Sequence, residues 1–190
     1  MESPWKSLTQ KPIYSNSWIS VTEHQVINPN GGEGIYGVVN FKNLAIGVVA
    51  LDENLNIWLV GQFRFPINQF SWEIPEGGGP LSDDPLLSAK RELKEETGLE
   101  ANYWKEILRM HLSNSVSDEL SIIYLATGLI EGVSNPEETE KLNVQKVSFI
   151  EAYNRVLAGE ITDSISVAAI LKTKILLDRV NGNLHKITSF

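Results

Sequence analysis

The sequence predicts a protein of mixed α/β class, and three observations support this class. Segments of strand type alternate with segments of helix type along the 190 residues. Residues 44–52, LAIGVVALD, form an almost continuous apolar run, which is typical of a strand buried on both faces. Residues 84–98 carry start and stop signals of a helix. The length suggests one domain, with a small appendage at most.

The predicted strands are short runs rich in β-branched and aromatic residues, bounded by turn residues. Before the long helix they lie at 18–27, 34–41, 44–52 and 57–65. Residues 71–84, SWEIPEGGGPLSDD, combine a short strand with a glycine-rich loop. After the helix, strands are predicted at 103–112, 120–130 and 144–149, with polar loops at 113–119 and 135–143.

The long helix is the most strongly indicated element. Asp84 is a suitable N-cap and Pro85 a suitable first residue, and Gly98 stands where a left-handed C-cap is expected. Leu86 and Leu93 lie on one apolar stripe. Two further helices are predicted at 150–159 and 162–180, the second capped by Asp163 or Ser164.

The composition argues against several classes of protein. A formal net charge of -8 disfavours general nucleic-acid binding, and the lack of cysteine excludes disulfides and Cys-ligated zinc. The three histidines are far apart and show no metal-binding spacing. No apolar run reaches the roughly 18 residues of a membrane span, and the N-terminus does not resemble a signal peptide. A cytoplasmic protein without a membrane partner is expected.

The end of the long helix, RELKEETG at 91–98, concentrates negative charge. Glu92 and Glu96 share one face, at the edge of the buried stripe, and Glu95 flanks them. Like charges at this spacing cost about 0.2–0.5 kcal/mol, and anions near a helix C-terminus cost about 0.3–1 kcal/mol each. A divalent cation such as Mg²⁺ or Mn²⁺ reverses both effects. The alternative is a solvated helix whose basic residues pair with the glutamates.

The segment before the helix favours the cation. PEGGGP, residues 75–80, places three consecutive glycines beside the carboxylates, and glycine lets backbone groups approach a metal ion or phosphate closely. A flexible turn is the alternative for this segment.

These residues resemble the signature of the Nudix hydrolases. That signature is Gly, five residues, Glu, seven residues, Arg-Glu, an aliphatic residue, one residue, Glu-Glu, one residue, Gly and an aliphatic residue. Asp83 stands where the first Glu is usual. The remaining positions match at Gly77, Arg91, Glu92, Leu93, Glu95, Glu96, Gly98 and Leu99.

The resemblance extends to the branch of ADP-ribose pyrophosphatases and nucleoside-diphosphate-sugar hydrolases, through residues 60–78 and 113–126. Asn114 and Ser115 replace the usual proline and glycine of the downstream loop, which leaves sugar nucleotides in general open as substrates. The resemblance implies an α/β/α sandwich with a mixed central sheet. It also implies a small N-terminal β-extension at 1–45, which precedes the hydrolase domain at 46–190.

The implied activity is Mg²⁺-dependent hydrolysis of the pyrophosphate bond of a nucleotide sugar, such as ADP-ribose or GDP-mannose, with Mn²⁺ as a substitute ion. By resemblance, Glu92 and Glu96 are the principal metal ligands and Glu95 binds the ion or orients its waters. A backbone carbonyl of Glu76 or Gly77 is expected to add a ligand. Arg91 is expected to orient a glutamate and to pair with Glu73.

The same resemblance implies substrate contacts outside the helix. Arg64 is a candidate for gripping the phosphates, because a guanidinium matches paired oxygens. Glu73 and Gly78 are further candidates. Glu119 of the downstream loop is a candidate general base or additional metal ligand, and it matches the branch better than Asp118 does.

Aromatic residues of the N-terminal strands are candidates for stacking on the base, although core packing is the alternative role for each. In this branch those strands commonly cross to a partner subunit. Trp18 and Tyr36 are therefore expected to serve the partner's nucleotide pocket, which predicts a homodimer.

Two other functions stay open at this point. One is a binding or sensor module that keeps the fold without catalysis, against which the intact glutamates argue. The other is a decapping enzyme or a sanitiser of mutated nucleotides, which the acidic balance and the N-terminal extension disfavour. Turnover measured with and without Mg²⁺ separates the first from a hydrolase.

Overall fold

The computed structural model describes residues 2–132 and 142–188. Within those ranges the chain forms ten strands, a 3-10 turn at Phe65–Ile67 and four α-helices. Most of the polar loop predicted at 135–143 lies outside the described residues. No helix in the described part is long and apolar enough to cross a bilayer.

The strands are β1 Lys6–Ser15, β2 Ile19–Ile27, β3 Glu33–Phe41, β4 Asn43–Ala50, β5 Asn56–Arg64, β6 Gln69–Glu73, β7 Glu76–Pro80, β8 Leu99–His111, β9 Leu120–Glu131 and β10 Asn143–Ser148. The helices are α1 Pro85–Thr97, α2 Phe149–Leu157, α3 Ser164–Arg179 and α4 Leu184–Thr188.

The strands form three sheets. The N-terminal sheet has the order β1-β2-β3, a second sheet has β10-β5-β6, and the third has β7-β4-β9-β8. In the third sheet β4 pairs with β9 in parallel, and the other pairs are antiparallel. The predicted mixed sheet is therefore confirmed.

Strand β4 lies at the centre of the sandwich. Ile46 and Val48 pack in one cluster with Leu93 of α1, whereas Val49 packs in a second cluster with Ile170 of α3. All five side chains are fully buried. The two-faced burial predicted from the apolar run is confirmed, and so is the α/β/α layering.

The caps of the helices follow the sequence signals. The Asp84 carboxylate accepts a hydrogen bond from the Leu86 N–H at 3.0 Å, and Gly98 takes the left-handed conformation with φ 75°. Of the two candidate caps of α3, Asp163 is the one used, since its Oδ2 accepts from the Ser166 N–H at 2.7 Å.

Four elements were not predicted or differ from prediction. β1, α4 and the 3-10 turn are not predicted, and β1 lacks an alternating pattern because every one of its residues is exposed. The glycine-rich segment predicted as a loop is strand β7, in which Gly77 pairs with Ile46. Its glycines leave room for side chains that approach the strand from neighbouring elements.

Candidate active site

Two clefts adjoin β7, and both are bordered by Trp18, Asn43, Gly77 and Gly78. The main cleft has a volume of about 700 Å³. One part of its lining, called the acidic wall below, consists of four carboxylates and one guanidinium: Glu73, Glu76, Glu119, Asp163 and Arg64. The helix cleft has a volume of about 530 Å³ and is lined by Arg91 and Glu92 of α1. Both volumes are in the range of small-molecule sites.

Glu92 and Glu96 are buried at the inner face of α1. They are 8% and 2% exposed, although they stand beside the core residue Leu93. Glu96 Oε2 accepts a hydrogen bond from the backbone N–H of Glu76 at 3.0 Å. Because carboxylates are almost never buried without partners, this placement indicates a site rather than a solvated helix face.

Gly77 allows β7 to approach the Glu92 carboxylate. A Cβ at this position would lie 2.3–2.4 Å from all three atoms of that carboxylate, so a larger residue would fill the space. Backbone oxygens of β7 and buried carboxylates of α1 therefore share one small region. This donor set fits a hard divalent cation, which prefers carboxylate and carbonyl oxygens.

Arg91 holds the acidic end of α1 together. Its Nη2 donates to Glu92 Oε1 at 2.6 Å and to the Gly78 carbonyl at 2.7 Å, and its Nη1 donates to Glu95 Oε2 at 2.8 Å. Burial works to lower the Arg91 pKa, but Glu92 and Glu95 outweigh it and raise the pKa. The predicted pair between Arg91 and Glu73 is wrong, because Glu73 pairs with Arg64 instead.

Arg64 lies in the acidic wall of the main cleft. Its Nε and Nη2 donate to both oxygens of Glu73 at 2.6–3.1 Å, and Nη2 also donates to Glu76 Oε1 at 3.0 Å. Burial would lower the Arg64 pKa, but these carboxylates raise it above the ordinary value. The guanidinium predicted to grip phosphates is thus engaged with two carboxylates, while 37% of its side chain stays exposed.

Three acidic side chains that come from separate elements converge beside Arg64. One oxygen each of Glu73, Glu76 and Asp163 lies within 4.8 Å of the other two. The pKa of Glu76 is raised well above its usual value by burial first and then by Asp163 and Glu73, against the opposing effect of Arg64. Neither the Glu76 side chain nor Asp163 is predicted as a site residue, because their only local signals are a glycine-rich neighbourhood and a helix cap.

The loop between β8 and β9 is attached to the N-terminal sheet. The Val39 N–H donates to the Val116 carbonyl at 2.9 Å, and Asp118 accepts hydrogen bonds from the Phe41 N–H at 2.8 Å and from Asn40 Nδ2 at 2.9 Å. Asp118 therefore fixes the loop to β3. This role explains the acidic residue without assigning it to chemistry.

Glu119, the next residue, faces the main cleft. Burial raises its pKa, and the negative charges of Asp118 and Asp163 raise it further. The loop thus presents Glu119 to the cleft while Asp118 anchors it.

The aromatic candidates occupy different places. Trp18 lies in the turn between β1 and β2 rather than in a strand, and its ring approaches a Cβ position on Gly78 to 3.2 Å. Tyr36 of β3 contacts Trp5 edge to face and donates to the Ser115 carbonyl at 2.5 Å. Trp18 borders both clefts of its own chain, whereas Tyr36 supports the loop that carries Glu119. Their expected role in the nucleotide pocket of a partner subunit stays a prediction.

Two family models together match most of the chain. Residues 41–164 match the family model of the NUDIX domain. Residues 5–39 match the model of the nucleoside diphosphate sugar hydrolase N-terminal domain.

Individual relatives cover most of the chain. An ADP-ribose pyrophosphatase of Mycobacterium tuberculosis is 34% identical over 174 residues, which are 90% of this chain and 83% of that protein. An ADP-ribose pyrophosphatase of Bacillus subtilis is 30% identical over 87% of this chain and 90% of that protein. A methanol dehydrogenase activator of Bacillus methanolicus is 29% identical over the same shares.

A solved structure shares the fold. The crystal structure of an ADP compounds hydrolase superposes with a TM-score of 0.84 at 16% identity, covering 94% of this chain and 97% of that one.

Proposed function

The chain belongs to the Nudix hydrolases, and we propose that it hydrolyses the pyrophosphate bond of nucleoside diphosphate sugars, such as ADP-ribose or GDP-mannose, in a Mg²⁺-dependent reaction. The family model spans residues 41–164, and relatives named ADP-ribose pyrophosphatase cover most of the chain. It is thus a pyrophosphohydrolase of the ADP-ribose pyrophosphatase type. The products would be a nucleoside monophosphate and a sugar phosphate.

The observation that carries this proposal is the burial of Glu92 and Glu96 against the backbone of β7. A protein that only bound a nucleotide would have no need to bury two carboxylates beside a strand of glycines. Glu92, Glu96 and a backbone carbonyl of Glu76 or Gly77 would hold the cation, with Glu95 at the rim. When bound, the cation neutralises the diphosphate and lowers the pKa of a coordinated water.

The remaining residues position groups and move a proton. Arg91 fixes Glu92 and Glu95 through its two terminal nitrogens. Glu119 is proposed as the general base that accepts a proton from the attacking water. Its raised pKa makes its carboxylate a stronger base than an exposed glutamate, which suits proton transfer near neutral pH.

Substrate contacts are proposed for the main cleft. Trp18 lies over Gly78 between the two clefts and presents an exposed ring on which a base can stack. Arg64 is proposed to contact phosphate with the exposed part of its guanidinium while Glu73 holds its orientation. Tyr36 is proposed to act through the loop, by its hydrogen bond to Ser115.

The experiment that tests the proposal is a turnover screen with Mg²⁺. ADP-ribose, GDP-mannose, UDP-glucose, dinucleoside polyphosphates and deoxynucleoside triphosphates are each incubated with the protein, and products are identified by mass. Cleavage of a nucleotide sugar between its two phosphates, lost on chelation, supports the proposal. Binding of these compounds without turnover of any of them contradicts it and favours a sensor module.

We also propose a homodimer built through the N-terminal sheet. Strand β1 is exposed along its whole length, and the sheet exposes large apolar side chains, including Leu8, Ile13 and Ile35, each more than half exposed. Apolar surface of this kind marks an interaction site. Light scattering should give twice the chain mass of 21.2 kDa, and Ile13→Asp should shift it towards the monomer. A monomeric wild type would contradict the proposal.

The cytoplasmic location predicted from the sequence stays a prediction.

A further inference from the structure

The acidic wall of the main cleft contains carboxylates that the helix site does not use. Glu73 ends β6, Glu76 begins β7, and Asp163 caps α3. One oxygen of each lies within 4.8 Å of the other two. Three separate elements thus bring three carboxylates to one point.

The charges at this point do not balance. Arg64 contacts Glu73 and Glu76 and neutralises one negative charge. When all three carboxylates are ionised, one guanidinium leaves two negative charges unbalanced. Buried carboxylates are tolerated only where a proton or a cation lies between them, and the excess equals the charge of one divalent cation.

A second observation points to a missing ligand. The side chain of Glu76 is only 10% exposed, and its Oε1 accepts a hydrogen bond from Arg64 at 3.0 Å. Its Oε2 is buried and, among the described residues, accepts no hydrogen bond from an N–H or hydroxyl group. The Asp163 carboxyl lies within hydrogen-bond reach of Glu76, but it can share a hydrogen bond only when one of the two acids keeps its proton. A buried acceptor without a donor is costly, and such groups in native proteins commonly have an ion or water as their partner.

We propose that Glu73, Glu76 and Asp163 bind a divalent cation, at a site separate from that of Glu92 and Glu96. Two oxygens on opposite sides of one ion are about 4.2 Å apart for Mg²⁺ and about 4.6–5.2 Å apart for Ca²⁺. The three oxygens, none more than 4.8 Å from another, can therefore reach one oxygen-liganded ion once their side chains move towards it. The open cleft leaves its other positions to water or to an anion.

Glu76 separates the two sites. Its backbone N–H donates to Glu96 on the helix side, whereas its carboxylate faces Arg64 on the side of the main cleft. Asp163 gives Oδ2 to the cap of α3, which leaves Oδ1 for the ion. The two ligand sets therefore share no side chain.

The cation would change what the main cleft binds. The bare acidic wall repels a diphosphate, and a bound divalent ion converts it into a surface that attracts one. This role rests on the proposed function, but binding of the ion itself does not.

The test counts bound Mn²⁺, which takes the same oxygen ligands as Mg²⁺ and is visible by electron paramagnetic resonance. Chelator-treated full-length protein is titrated without nucleotide. The variant E92Q/E96Q removes the charges of the helix site. It should still bind one Mn²⁺ per chain, and this ion should be lost when either Glu76→Gln or Asp163→Asn is added.

The controls separate loss of a ligand from loss of structure. Asp163→Asn keeps a good N-cap for α3, and circular dichroism checks the fold of each variant. Glu106→Gln removes a carboxylate on β8 that is 40% exposed and pairs with Arg109. In the same background it should leave the bound ion in place.

Two results would overturn the inference. Either E92Q/E96Q binds no Mn²⁺, or it retains its ion when Glu76→Gln or Asp163→Asn is added and the protein stays folded. If wild-type protein hydrolyses no nucleotide sugar but the ion count follows the expected pattern, the proposed function fails and this site stands. If the wild-type protein hydrolyses a nucleotide sugar but E92Q/E96Q binds no ion, the second cation site fails and the proposed function stands.

Discussion

Replacing Gly77 with alanine should separate activity from stability more clearly than removal of a glutamate. The added Cβ would lie 2.3–2.4 Å from the Glu92 carboxylate, whereas ordinary van der Waals contact begins at 3.4 Å. The carboxylate must therefore move by about 1 Å. Metal–ligand distances tolerate only about 0.2 Å, so a Glu92 carboxylate moved this far could not keep the metal bond that we propose for it.

The expected loss can be estimated from that displacement. A misplacement of about 1 Å costs on the order of 100-fold in rate, which corresponds to about 2.7 kcal/mol of transition-state stabilisation. We expect kcat/KM of Gly77→Ala to fall by about this factor with Mg²⁺. The affinity for Mn²⁺ at the helix site should fall as well.

Stability should change little. Alanine in a strand gains about 0.4–1 kcal/mol through the unfolded chain, and Gly77 does not have the positive φ that would strain it. Weakening of the contact between Glu92 and the half-exposed Arg91 costs about 0.2–1 kcal/mol. The two effects offset each other, so the free energy of unfolding should shift by less than about 1 kcal/mol.

The assay compares kcat/KM and thermal unfolding of Gly77→Ala with those of Gly34→Ala. A Cβ on Gly34 meets no atom within 4 Å, so this control should match the wild type in both. A folded Gly77→Ala protein with wild-type kcat/KM would refute the placement of the cation beside Glu92 and β7.

Three further predictions concern the loop and the cleft. Asp118→Ala removes the acceptor of two hydrogen bonds from β3. It should lower kcat/KM about 10–100-fold and speed amide hydrogen exchange in the loop at 113–119. Unchanged exchange would mean that the loop does not depend on this anchor. In the wild type, kcat/KM should rise with pH as Glu119 loses its proton. Because burial raises the pKa of Glu119, this rise should lie at a pH above the ordinary glutamate pKa of 4.5. Glu119→Gln should be slow and lack the rise, and a variant that keeps the rise would exclude Glu119 as the base. Trp18→Ala should raise KM about tenfold with a smaller change in kcat, since stacking on a base contributes about 1–3 kcal/mol; an unchanged KM would place the base elsewhere.

Much of the fold was predictable from local chemistry. The caps at Asp84 and Gly98, the stripe containing Leu93 and the continuous apolar run of β4 are signals within one element, and each is confirmed. β7 was not predictable as a strand, because a run of glycines favours no conformation by itself. Pairing with β4 gives those glycines their strand structure, and the nearby Glu92 carboxylate leaves no room for a Cβ at Gly77.

The site residues that could be predicted from the sequence are likewise those that lie close together on one element. Glu92 and Glu96 are neighbours on one helix, so their shared face follows from helical geometry. Glu73, Glu76 and Asp163 are brought together only by the packing of β6, β7 and α3. The two arginines show the same difference. Arg91 pairs with Glu92 and Glu95 of its own helix, whereas Arg64 reaches Glu73 and Glu76 only through the packing of β5, β6 and β7.

The most direct test of the central claim is Mg²⁺-dependent hydrolysis of ADP-ribose by Glu96→Gln. Glutamine keeps an oxygen that can accept the hydrogen bond from the Glu76 N–H, so the fold should survive while the buried negative charge is lost. If Glu96 holds the cation that drives hydrolysis, the wild type turns over and the folded variant does not. A wild-type rate in the folded variant would contradict the account.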